Sequence, residues 1–180
     1  MLKRIWQILV LTGIISFLAL FQFSFISSLA DPFRQFNLVL IILIFILFFL
    51  DFRVASISAL IAGFWLDVMS FNFFGFYIII FFVCLLFAHW ILKNWLTNRS
   101  LYSLLVIMVG VTIVYNILAA IILYLFSTDY TIFFLVQKNF WLTVAYQSGW
   151  SFLSALILFN LAALASKRVK PFFLEKKSYI

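Results

Sequence analysis

The sequence predicts an all-α polytopic membrane protein in which six transmembrane helices form one compact bundle and both termini are cytoplasmic. The first observation is composition: of 180 residues, 68% are hydrophobic and 9% are charged, whereas soluble domains carry about 25% charged residues. The second is that apolar runs of about 15–25 residues continue without a period of two, which favours helices over a β-barrel. The third is that basic residues crowd on one side of the predicted membrane.

The first apolar run extends from Ile5 to about Leu29 and follows the basic start MLKR. A secretory signal peptide would also begin with basic residues, and Ser28 and Ala30 have the spacing of a cleavage site. Signal peptides, however, have apolar regions of about 7–15 residues, and this run is longer. We therefore expect an uncleaved first helix.

Five more apolar runs predict the remaining spans, at Phe33–Leu50, Val54–Ser70, Phe74–Leu92, Leu101–Phe126 and Phe140–Ala165. The ambiguous point is LDFRVA, which is either a turn between two helices or a charged pair within one. With a turn, ten of the twelve basic residues lie on the inner side, and only Arg34 and Lys138 lie outside. A merged helix leaves Arg53 in the hydrocarbon, at about 2.5–3.5 kcal/mol. Six spans are favoured.

The chain is expected to contain one domain and a tail: residues 1–166 form the six-helix transmembrane domain, and residues 167–180 form a basic cytoplasmic tail. A net charge of +7 could indicate a nucleic-acid partner, but five of the twelve basic residues lie in SKRVKPFFLEKKSYI, directly after the last apolar run. A basic cluster at that position is typical of the cytoplasmic side of a membrane and contacts anionic lipid headgroups. Membrane lipids, and not nucleic acid, are the predicted partners.

The third span has a face of small residues. Because residues three or four apart share a helix face, Ser56, Ala59, Gly63 and Asp67 align there, and bulkier side chains lie elsewhere. Small residues let membrane helices approach closely. We therefore expect this span to be central in the bundle and Asp67 to point inward.

Three roles are open for Asp67, one of only five acidic residues. It lies about 20 Å along its helix, near the outer end of the span, where it could be an interfacial acid that completes a helix end. It could also be an inward-facing carboxylate that fixes helix packing or meets a partner protein, or a proton carrier. Asn72 is expected to cap the following helix, and Gly75 permits a tight turn before it.

Two asparagines inside predicted spans are further candidates for packing or partner contacts. Asn116 in the fifth span and Asn160 in the sixth could form hydrogen bonds between helices, worth about 0.6–2 kcal/mol, or contact a ligand. The sequence has no catalytic order of Ser, His and Asp, no paired carboxylates and no phosphate loop. A single histidine, His89, has no companions for a zinc site. No enzymatic activity, metal or cofactor is expected.

The order Gly63-Phe-Trp-Leu-Asp67, followed by Gly75 and another apolar run, resembles the rod shape-determining protein MreD family. The similarity extends to a length of about 160–180 residues, a basic start, close-packed spans and short loops. Of the family's pattern, Gly63, Asp67 and Gly75 are the matching positions.

The resemblance implies a non-enzymatic, multi-pass component of the bacterial inner membrane that acts as a scaffold of the cell-elongation machinery. Its implied partners are an MreC-like protein and, indirectly, MreB and the glycosyltransferase and transpeptidase that synthesise the wall. The MreD fold is also thought similar to the substrate-binding membrane component of energy-coupling-factor vitamin transporters. That component is the alternative function.

Overall fold

The computed structural model describes the backbone of residues 2–31, 33–70, 73–95, 100–126 and 138–168, and the side chains of residues 11–31, 33–70, 73–95, 100–126 and 139–161. Every regular element in these ranges is helical, so the all-α prediction is confirmed. The predicted tail lies almost wholly outside the described residues. The six α-helices are α1 (Leu2–Ser24), α2 (Leu38–Phe49), α3 (Phe52–Met69), α4 (Phe76–Asn94), α5 (Leu101–Phe126) and α6 (Lys138–Arg168).

Within the described residues, five helices are long and apolar enough to cross a membrane: α1, α3, α4, α5 and α6. The remaining helix, α2, has 12 residues and a length of about 18 Å, less than the hydrocarbon core of ~30 Å. Two 3-10 helices, Ile26–Ser28 and Phe33–Gln35, connect α1 to α2. The described part of the chain is thus all-helical with five candidate membrane-spanning helices, one fewer than the sequence predicts.

The chain leaves the helical conformation between α2 and α3. Leu50 and Asp51 both have extended backbone, with ψ of −157° and 151°. The two helices run antiparallel, because Asn37 at the start of α2 and Leu66 near the end of α3 line the same cleft. The turn predicted at LDFRVA is therefore present, and a single merged helix is excluded.

The hub of the bundle is α2. It contacts each of the other five helices, whereas α3 contacts α1, α2 and α4. Seven of the twelve residues of α2 are buried, and the helix is apolar on every face, as is typical of a helix surrounded by others. The third span was predicted to be central in the bundle. In the structure α3 packs against three helices, and the short apolar helix before it contacts all five others.

The small face of α3 lies inside the bundle, as the sequence predicts. Its buried small residues include Ala55, Ala59, Ala62 and Gly63. Its exposed bulky residues include Ile57, Leu60 and Phe64. The predicted separation of small and bulky faces is confirmed, and the small face packs α3 closely against its neighbours.

Candidate functional site

The carboxylate of Asp67, near the end of α3, is buried, with 4% of the residue exposed. It accepts three hydrogen bonds from the first amides of α4. Oδ1 accepts from the Tyr77 N–H at 2.7 Å, and Oδ2 accepts from the N–H groups of Gly75 at 3.0 Å and Ile78 at 3.3 Å. The first amides of a helix have no partner within it, and its dipole favours negative charge there. Asp67 is therefore an N-terminal cap of α4 that another helix supplies.

Gly75 makes this arrangement possible. It occupies the N-cap position of α4 with φ 100° and ψ −8°, a left-handed conformation that glycine adopts without the steric cost of a Cβ. The Phe76 amide donates to the Phe73 carbonyl at 3.3 Å, so the first amides of α4 all have acceptors. The predicted cap, Asn72, lies outside the described residues, and the cap that the structure contains is Asp67.

Gly63 brings the two helices into backbone contact one turn before Asp67. An ideal Cβ on Gly63 would lie 2.7 Å from the Cα and 2.9 Å from the N of Ile78, distances too short for real side chains. The same Ile78 amide donates to Asp67, so both residues hold one turn of α4. We call Gly63, Asp67, Gly75, Tyr77 and Ile78 the α3–α4 junction.

The contacts of the junction indicate a structural role, which is to hold α3 and α4 together. Asp67 combines two of the roles considered from the sequence, because it lies at a helix end and also faces the protein. Its two oxygens accept three backbone hydrogen bonds, which favours a role in packing over proton transfer. Among the described residues, no group of three or more His, Cys, Asp or Glu side chains could hold a metal ion.

The other candidates on α3 also have local roles. Ala59 is fully buried. Ser56 is half-buried, and its hydroxyl donates to the Phe52 carbonyl at 2.8 Å. Ser58, which was not predicted from the sequence as a candidate, is more deeply buried and donates to the Val54 carbonyl at 2.8 Å. Its position four residues before Ala62 was the available signal, because that spacing puts it on the small face.

Asn116 forms a hydrogen bond between α5 and α6. Its Nδ2 donates to Gln147 Oε1 at 2.6 Å and to the Thr112 carbonyl at 2.8 Å. One turn along, the hydroxyls of Thr112 and Ser151 lie 3.1 Å apart. Gln147 and Ser151 were not predicted from the sequence. A signal was present, because each helix carries two polar residues four apart, and antiparallel helices can pair them.

Asn160 was expected to lie inside the bundle like Asn116, but it does not. Its side chain is exposed on α6, because the inward face of that part of the helix is formed by residues such as Ala155, which is fully buried. Asn160 therefore lies outside the buried polar pairs. His89 is half-buried, and its ring lies 4.6 Å from the Phe52 ring, at the end of α3 and α4 opposite to the junction.

A cleft of about 290 Å³ opens at the junction end of the bundle. We call it the polar cleft. Amide and hydroxyl side chains from α1, α4, α5 and α6 and from the α1–α2 connection line it: Gln22, Gln35, Asn37, Tyr77, Tyr115 and Gln147. Arg34 and Thr143 also contribute to its walls. This site was not predicted from the sequence, because its residues come from distant positions in the chain.

Two of these amides cap α2. Asn37 Oδ1 accepts from the Leu40 N–H at 3.1 Å and from Gln22 Nε2 at 3.2 Å. Gln22 Oε1 accepts from the Val39 N–H at 2.7 Å. Asparagine directly before an apolar helix is a recognised N-cap signal, and it could have identified Asn37. Nothing in the sequence indicates that Gln22, fifteen residues earlier, shares the task.

Comparison of the chain with protein-family models, with curated proteins and with solved structures found no match.

Proposed function

We propose that the chain crosses the membrane six times, with both termini in the cytoplasm. The support is the antiparallel arrangement of α2 and α3 and the excess of basic residues on one side. The apolar segment that includes α2, Phe33–Phe49, would reach about 25 Å as a helix. Asn37 and Gln22 cap the N-terminal end of α2 inside the protein, where irregular backbone is tolerated at membrane depth.

Cysteine labelling tests this topology. In a Cys84→Ser background, which removes the single cysteine, Asp51→Cys at the α2–α3 turn is expected to react with a membrane-impermeant maleimide in inverted vesicles and not in intact cells. Phe74→Cys, exposed before α4, is expected to show the opposite pattern. Labelling of both positions from the same side would contradict six spans.

The function proposed for this protein is a non-enzymatic scaffold of the cell-elongation machinery in the bacterial inner membrane. The observation that carries the proposal is the α3–α4 junction. The three positions that resemble the MreD pattern, Gly63, Asp67 and Gly75, belong to this one contact. If the three residues matched the pattern by chance, we would not expect all of them to belong to the same helix–helix contact.

The partners proposed for the scaffold are an MreC-like protein and, indirectly, MreB and the wall-synthesising glycosyltransferase and transpeptidase. The junction supports a role in protein contacts because it makes two helices into a rigid unit. Large side chains such as Phe64 and Phe74, whose rings lie 5.9 Å apart, are exposed beside it. In a membrane such a surface meets either lipid or the helix of a partner protein.

Depletion of the protein in its rod-shaped host tests this function. Cells are expected to become round, and a copy with Asp51→Ala is expected to restore the rod shape. A copy with Asp67→Ala is expected to restore it poorly, because it loses the cap of α4, and immunoblotting of membranes separates loss of protein from loss of function. Normal shape and wall synthesis after depletion would refute the proposal.

The alternative function is the substrate-binding membrane component of an energy-coupling-factor-type vitamin transporter. The polar cleft favours it, since such a component needs a pocket open at one end of its bundle. Purified protein in nanodiscs would be titrated with thiamin, riboflavin and biotin by isothermal calorimetry. Submicromolar binding of one of them would place this function first, and its absence together with rounded cells would exclude it.

A further inference from the structure

The polar groups of the cleft divide into those that already have partners and those that do not. The oxygens of Gln22 and Asn37 are engaged in capping α2, and Gln147 Oε1 accepts from Asn116. Gln35 Oε1, by contrast, is buried and has no hydrogen-bond partner among the described residues. Leaving a buried acceptor unpaired is unfavourable. Because the Gln35 side chain as a whole is half-buried and lines the cleft, rotation of its amide would bring this oxygen to a donor in the cleft.

The charge of the cleft limits what it could accept. The helix ends beside it are already satisfied, because Asp67 caps α4 and two amides cap α2. The capped amides at these two helix starts already have acceptors and are therefore not free to bind an anion. Among the described lining residues, Arg34 alone carries a formal charge, and its side chain is exposed. The cleft matches an uncharged ligand that both donates and accepts hydrogen bonds.

The size and walls of the cleft limit the ligand further. The cleft, at about 290 Å³, is close to the lower end of the range of small-molecule pockets, about 300–1,000 Å³, which suits a ring compound of the size of a monosaccharide. Its walls include the aromatic side chains of Phe23, Phe36, Tyr77 and Tyr115. Apolar surface with a few placed polar groups is the usual composition of a small-molecule site.

We propose that the polar cleft binds a neutral ring compound bearing several hydroxyl or amide groups, of about the size of a monosaccharide. This proposal does not rest on the scaffold function. The compound is either free in solution or the headgroup of a lipid. A second pocket of about 240 Å³, between α5 and α6, is lined by Asn116, Leu123 and Phe140 and shares Thr143 with the cleft. It would accommodate the start of a lipid tail.

The test uses the full chain in phosphatidylcholine nanodiscs. Free methyl β-glucoside and N-acetylglucosamine, at up to tens of millimolar, represent the soluble source, and monoglucosyl diacylglycerol in the nanodisc represents the lipid source. Binding is followed by thermal stabilisation and by native mass spectrometry. Binding of a free sugar identifies a soluble ligand, and binding of the glycolipid alone identifies a headgroup. Absence of binding in both arms overturns the proposal.

Gln35→Leu is the decisive variant. Because it removes an acceptor that has no partner, it should leave the unliganded protein as stable as the parent or more so. It is expected to weaken binding about tenfold, since one hydrogen bond of about 1.4 kcal/mol is lost. The matched control is Asn160→Leu, which replaces an exposed amide on α6 and should bind like the parent. Equal binding by both variants would overturn the proposal.

Discussion

Replacing Asp67 by alanine should separate α4 from α3. The substitution leaves the amides of Gly75, Tyr77 and Ile78 without their acceptor. An unmade buried hydrogen bond costs about 1–3 kcal/mol, and this site is partly buried, so water would satisfy some of the amides. We expect a total loss of about 2–4 kcal/mol, which for a chain of this size lowers the melting temperature by about 5–15 °C.

Cys84 provides the assay. It is the single cysteine of the chain and is buried in the middle of α4, so a thiol-reactive coumarin maleimide becomes fluorescent when α4 unpacks in detergent. The matched control is Asp51→Ala, because Asp51 also lies at an end of α3 but is exposed and makes no capping hydrogen bond. Melting temperatures for the two variants within about 2 °C of each other would refute the role assigned to Asp67.

Two further predictions concern helix contacts. Gly63→Ala should cost about 1–3 kcal/mol, because its Cβ would lie 2.7 Å from the Ile78 Cα, whereas Gly110→Ala, with nothing within 4 Å, should be neutral or stabilising by up to about 1 kcal/mol. Equal melting temperatures in the coumarin assay would contradict the close contact. Asn116→Ala and Gln147→Ala should show a coupling energy of about 0.6–1.7 kcal/mol in a double-mutant cycle, and strict additivity would argue against their hydrogen bond.

The face of α3 could be predicted from the sequence, but the partner of its acid could not. Small residues at spacings of three and four put Asp67 on the buried face, and the structure agrees. The spacing could not identify what the carboxylate meets, because its partners are backbone amides of Gly75, Tyr77 and Ile78. Every residue except proline has such an amide, so no side-chain pattern marks them.

The central position of α2 could not be predicted from the sequence, for a different reason. A helix that is apolar on every face is suited to the interior of a bundle and equally to contact with lipid. The sequence LVLIILIFILFF therefore does not distinguish the two environments. Its contacts with all five other helices depend on where the connecting turns and caps direct it. The pairing of polar residues between α5 and α6 was easier to predict from the sequence, because each helix carries two polar residues four positions apart.

The sequence by itself determined that this protein is helical and suited to a membrane, where its helices begin and end to within five residues, and which face of α3 turns inward. These properties follow from composition and periodicity along one segment. Only the tertiary structure decided that Asp67 caps α4, that α2 is the hub and that distant amides form one cleft. Each of these depends on the distance between atoms far apart in the chain, which the order of residues does not specify.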